Sequence, residues 1–206
     1  MWDLVRPRLE RRFERVLVPA LPGHLGGPPL PRTITPTTMV EAVERALDDA
    51  GLDAAVIAGN SLGGHVALQL AARGRATAVT AFAPAGGWDD EAGKLQTLDV
   101  VPTLSAMVAD PTQLSRDTVA HILLAAQRCT EAPRMIEYAA THAYPVEPVL
   151  CPVRFVWGSE DKLLPWPSAG ARYQRQFAHA DWVILDGVGH CPQLESPLEA
   201  AELVIG

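Results

Sequence analysis

The chain has 206 residues, 48% hydrophobic and 20% charged, enough apolar material for one buried core and too much for a disordered chain. Its net charge of −7 excludes the basic face that a nucleic-acid partner requires. The three cysteines, Cys129, Cys151 and Cys191, are an odd number without metal-ligand spacing, which predicts no disulfide framework, no metal and a reducing, cytoplasmic setting.

In chain order, residues 3–13 are charged and end on Phe13, which predicts a short surface helix. Residues 15–19 (Arg-Val-Leu-Val-Pro) read as a brief strand, and 21–36 as a Pro/Gly-rich loop. A helix is expected from a cap at Thr37 or Thr38 to Ala50, because Val40, Val43, Ala46 and Leu47 recur at helical spacing and Gly51 follows as a stop. Residues 54–58 read as a buried strand, 65–72 as a helix and 76–83 as a second strand. From 88 to 144 the pattern turns helical, with patches over 94–108, 113–128 and 132–142. Strand character returns at 153–157, followed by a helix over 165–177, a strand over 182–185 and a helix over 197–204. Short strands alternating with helices predict an α/β protein with a mostly parallel sheet. The helical block at 88–144 is then a lid inserted in a core of residues 1–87 and 145–206, placed over the carboxyl edge where ligands bind. The first residues carry no secretory pattern, and no run has the apolar length of a membrane span.

One motif carries most of the chemistry. Gly59-Asn60-Ser61-Leu62-Gly63 lies between the strand at 54–58 and the helix at 65–72. G-x-S-x-G between a strand and a helix is the nucleophile elbow of serine hydrolases. Glycine at the flanking positions is expected to let strand and helix approach, and the tight turn to hold the serine hydroxyl at the tip of the sheet. The helix N-terminus behind it offers N–H groups to a developing oxyanion. A serine hydroxyl needs a base, and the base needs an orienting carboxylate. Two downstream segments supply them, each just past a strand: Trp157-Gly158-Ser159-Glu160-Asp161 through Pro165, and Gly187-Val188-Gly189-His190-Cys191-Pro192 through Glu195 and Pro197.

These segments resemble W-G-x-x-D-x-x-x-P and G-x-G-H-x-P-x-x-E-x-P. With the elbow, and in the order Ser, acid, His, they make nearly the whole chain similar to the α/β-hydrolase family, serine branch with a helical cap. Ala83-Pro84-Ala85-Gly86-Gly87-Trp88 resembles the entry into that cap, and Pro22-Gly23-His24 a loop after the family's fourth strand. The resemblance implies Ser61 as nucleophile, His190 as general base and then acid, Asp161 as its orienting partner and the Leu62 N–H as an oxyanion donor, with no cofactor. It implies an ester-like small-molecule substrate, or a ring-fission diketone cleaved at a carbon–carbon bond, since G-N-S-x-G-G elbows serve both. Serine here argues against the epoxide-hydrolase and dehalogenase branches, whose elbows carry aspartate.

One family feature is missing. The H-G loop after the third strand, source of the second oxyanion N–H, has no counterpart ahead of Met1-Trp2. That predicts either a fragment of a longer chain or a non-catalytic remnant, unless residues 15–19 pair directly with 54–58 and the loop at 21–27 stands in. An exposed gap there would invite pairing with a second copy. Other residues read as structural: Asp186 as a strand-end residue paired with backbone, His65 and Cys191 as packing, His24 as a loop residue bonding the backbone, and His121, His142 and His179 as unrelated surface positions. Met107, Leu123, Leu124 and Met135 line either the substrate pocket or the lid's own core.

Overall fold

A computed structural model describes residues 1–88, 104–142 and 145–205. Four strands form one sheet in the order β1 (Ala55–Asn60), β2 (Ala76–Phe82), β3 (Val153–Gly158), β4 (Asp181–Leu185), every neighbouring pair parallel. All four carboxyl ends therefore reach the same edge, which is where an open α/β sheet binds ligands.

Alternation along the strands splits the core in two. Ala81, Phe155 and Trp157 face α3 (Leu62–Ala72) and α7 (Ala171–Gln176), packing against Leu68 and Tyr173. Phe82, Val156 and Leu185 face the other way, against Val5 and Leu9 beside and within α1 (Arg6–Leu9) and Ala200, Ala201 and Val204 of α9 (Pro197–Ile205). Period-two geometry sends alternate residues of each strand to opposite layers. The amphipathic α2 (Thr38–Asp49) lies on α3, its Val40 and Leu47 buried against Val66 and Leu70.

Both α2 and α3 end where the sequence dictates. Gly51 and Gly74 adopt φ of 67° and 75°, and the next residue donates back five positions: Leu52 N–H to Leu47 O, and Arg75 N–H to Leu70 O, each 2.9 Å. This left-handed stop favours glycine because it has no Cβ.

Between β2 and β3 the described residues hold α4 (Leu104–Met107), α5 (Arg116–Arg128) and α6 (Ala132–Thr141), with a 3₁₀ turn at Pro111–Gln113. Most of the helical patch expected over 94–108 lies outside the described residues. The helix expected over 165–177 is a 3₁₀ turn, Ser168–Gly170, running into α7. A four-residue helix α8 (Pro192–Glu195), not expected, follows the histidine segment.

The strand expected at 15–19 does not form, and its pairing with β1 is absent: among the described residues β1 pairs only with β2. The backbone of residues 14–20 makes no hydrogen bond among the described residues. A cavity of about 860 Å³ lies between this segment and the outer edge of β1 and continues to the carboxyl edge. Leu17, Val18, Leu25 and Val56 remain exposed on its walls. The segment carries a short β-branched apolar run, but a strand exists only where an edge lies within hydrogen-bond reach. No helix among the described residues is long and apolar enough to cross a membrane.

Candidate active site

Ser61 stands between the last residue of β1 and the first of α3, with φ 55° and ψ −119°. For a side chain with a Cβ this conformation costs about 1–3 kcal/mol and persists only where neighbours over-determine it. Here they do. The Ser61 N–H donates to Phe82 O at 2.9 Å, and Ser61 O accepts from the N–H groups of His65 (3.1 Å) and Ala85 (3.0 Å). The flanking glycines differ. A Cβ on Gly59 would overlap the Gly63 carbonyl, whereas a Cβ on Gly63 meets nothing within 4 Å. Expecting both to be needed for close approach is therefore right for Gly59 and wrong for Gly63. Gly64 carries the second constraint, since its Cβ would stand 3.0 Å from Pro84 Cβ.

The turn after β3 places Asp161, and the turn after β4 places His190; both residues are 4% exposed. Asp161 Oδ2 accepts a hydrogen bond from His190 Nδ1 at 2.8 Å, and Oδ1 accepts the N–H groups of Leu163 (2.9 Å) and Leu164 (2.8 Å). Both carboxylate oxygens are engaged, so the group acts as a fixed acceptor for an Nδ1–H tautomer and leaves Nε2 as the basic nitrogen. Trp157 closes the turn from below by donating its indole N–H to Leu164 O at 2.7 Å. Gly158 lets the two turns touch, because any Cβ there would overlap the carbonyls of Val188 and Gly189.

Ser61, Leu62 and His190 line the same cavity, joined by Asn60, Cys191 and Gln193. Leu62 opens α3, and a first-turn N–H has no partner within its own helix. The loop at 21–27 borders the cavity through Leu21, His24 and Leu25. Three of its N–H groups are already engaged: Gly23 to Pro28 O, His24 to Leu21 O and Gly27 to His24 O. The ring of His24 bonds Pro22 O at 3.2 Å.

Glu195 joins two segments at the site. Its Oε1 accepts the Gly189 N–H at 2.9 Å, beside His190, and its Oε2 accepts the Ala109 N–H at 2.7 Å, from the insertion. Burial pushes this carboxyl above its ordinary range despite those bonds. Cys191 is fully buried, and burial, aided by the charges of Asp161 and Glu195, pushes its thiol up. A neutral thiol is a weak nucleophile, which fits packing. Asp186 accepts the Ser159 hydroxyl at 3.4 Å rather than pairing with backbone. Met107 lines the cavity, Met135 packs against the α2–α3 cluster, and Leu123 and Leu124 are exposed. No group of three or more metal-ligating side chains occurs among the described residues.

The comparisons with known proteins give the family and the fold. Residues 1–203 match the model of the alpha/beta hydrolase family. The chain is 30% identical over 200 residues to a Mycobacterium tuberculosis protein named epoxide hydrolase EphH, an alignment covering 81% of this chain and 91% of that protein. The fold resembles a meta-cleavage product hydrolase from Pseudomonas fluorescens IP01, with a TM-score of 0.76 at 19% identity, covering 99% of this chain and 82% of the other. It also resembles a thermophilic esterase from Thermogutta terrifontis, with a TM-score of 0.68 at 22% identity, covering 98% and 82%. The strained serine after the first strand, the histidine–carboxylate pair after the third and fourth, and these matches place the chain in the alpha/beta hydrolase family, as a hydrolase.

Proposed function

We propose that the chain hydrolyses an ester-like small molecule through an acyl-enzyme on Ser61. The observation that carries this reading is the His190–Asp161 hydrogen bond at a cavity wall shared with a serine held at φ 55°. His190 Nε2 takes the Ser61 hydroxyl proton as Oγ attacks the carbonyl carbon. The carbonyl oxygen becomes an oxyanion facing the Leu62 N–H, and the imidazolium is held by Asp161. Collapse breaks the bond to the leaving alcohol, which takes the proton from His190. Water, deprotonated by the same imidazole, then releases the acid. The insertion at 88–144 acts as the cap of this pocket, with Met107 on its wall.

The name of the mycobacterial relative raises epoxide opening as an alternative. Attack by a carboxylate on an epoxide leaves an ester that water can cleave, whereas attack by Ser61 Oγ would leave an alkyl ether that it cannot. Serine therefore suits acyl chemistry. Cleavage of a carbon–carbon bond beside a ketone uses the same nucleophile and base, and the fold shared with the meta-cleavage product hydrolase favours keeping it as the second reading.

The test is labelling by a fluorophosphonate, which phosphonylates an activated serine. Wild type is expected to label at Ser61, and Ser61→Ala and His190→Ala to lose labelling by about 10³-fold or more. Equal labelling of wild type and His190→Ala contradicts the reading. A panel of p-nitrophenyl esters, vinylogous diketo acids and styrene oxide then separates the substrate classes.

A further inference from the structure

Asn60 precedes the nucleophile in sequence, yet its side chain reaches the histidine segment 130 residues away. Its Nδ2 donates to His190 O at 2.9 Å and to Phe82 O at 3.1 Å. Two carbonyls on one side identify that atom as the amide nitrogen. Its Oδ1 therefore faces Gln193 Nε2 at 3.1 Å and Cys191 Sγ at 3.6 Å, both of which donate to it. Gln193 and Cys191 are fully buried. One amide thus engages the carbonyl of the base, the residue after it and the residue three after it, while its own backbone continues into Ser61.

We infer that Asn60 is a positioning residue that locks the His190 backbone to the nucleophile elbow, an inference that rests on the proposed Ser61–His190 chemistry. Asp161 fixes the imidazole from one end, through Nδ1. That bond sets tautomer and ring direction, and the Gly189 N–H bond to Glu195 ties the turn carrying His190 to α8, but neither ties it to the elbow. The bond from Asn60 to His190 O supplies that tie. Because Asn60 and Ser61 are adjacent in the chain, any shift of the elbow carries the base with it. Phe82 O, accepting from both Asn60 Nδ2 and Ser61 N, ties the two residues to the same strand end. A supporting shell of this kind sets a reacting geometry within tenths of an ångström, and its loss costs rate rather than binding. Asn60 itself is half-buried on the cavity wall, but its partners Gln193 and Cys191 are fully buried, so on their side a lost hydrogen bond has no ready replacement.

Fluorophosphonate labelling tests this when resolved into kinact and KI, with thermal melts alongside. Asn60→Asp keeps the shape and the acceptor facing Gln193 but removes both N–H donors. Folded Asn60→Asp is expected to lose about 10- to 100-fold in kinact with KI within about 3-fold of wild type. A purely structural amide would lower the melting temperature and leave kinact of the folded protein unchanged, and that result overturns the inference. Should Asn60→Asp not fold, Gln193→Leu decides. It leaves both N–H donors of Asn60 and the triad in place but removes the shorter of the two bonds to Asn60 Oδ1, leaving only the Cys191 thiol there, and is expected to lower kinact by about 3- to 10-fold; an unchanged kinact overturns the inference. Wild type that does not label at Ser61 overturns the inference together with the reading beneath it, whereas full labelling of Asn60→Asp overturns the positioning role alone.

Discussion

Gly59 and Gly63 are equivalent in the pattern G-x-S-x-G and unequal in space. Gly59 touches the Gly63 carbonyl with no room for a methyl group, while Gly63 faces open space within α3. Gly59→Ala is expected to cost about 3 kcal/mol by urea denaturation, as overpacking against backbone does. Gly63→Ala is expected to be neutral or to stabilise by up to about 1 kcal/mol, since alanine is the better helix former. Equal losses at the two positions would contradict this account of the elbow. At the residue scale, Ser61, Asp161 and His190 were legible because each lies in a local motif with its own turn chemistry. Asn60 and Gln193 were not, since their meaning arises from contacts across about 130 residues that no local spacing encodes.

The parallel strands β1 to β4 and helix α2 were legible within a residue or two, and α3 within three, because apolar runs and glycine stops are local. The segment at 15–19 shows where such reading fails. Its run of Val16, Leu17 and Val18 suits a strand locally, but it forms no ladder with β1, and the space between them stays open. The short α8 escaped notice because Pro192 opens it only as the turn after His190 folds back. The open edge of β1 is a template for a second chain, and exposed Val56, at 40% of its free surface, sits on it. Val56→Lys is expected to reduce concentration-dependent association in sedimentation velocity while changing stability by about 0.5 kcal/mol or less. Identical sedimentation of both proteins across concentration would remove this edge as a pairing surface.

At the scale of the whole molecule, the buried His65 gives stability a pH dependence. Its ring is buried in α3, Nδ1 donating to the Tyr173 hydroxyl at 3.1 Å, which in turn donates to Ala85 O at 2.6 Å. Burial, with the Arg172 charge nearby, holds its pKa down at about 3, against 6.5 in the unfolded chain. Below pH 6.5 the unfolded chain takes up a proton that the folded chain refuses. Stability is therefore full above about 6.5 and falls as pH drops toward 3, by up to about 1.4 kcal/mol per unit from this group. His65→Asn is expected to flatten that fall between pH 6.5 and 5 in urea titrations; an unchanged slope would contradict the buried neutral state. Acyl transfer by Ser61, His190 and Asp161 is the proposed chemistry, and rapid mixing with a p-nitrophenyl ester followed by acid quench and mass analysis tests it most directly. A burst of nitrophenol matched by one acyl group on the peptide carrying Ser61 is expected. Steady turnover with no burst and no acyl group there, undiminished in Ser61→Ala, would contradict it.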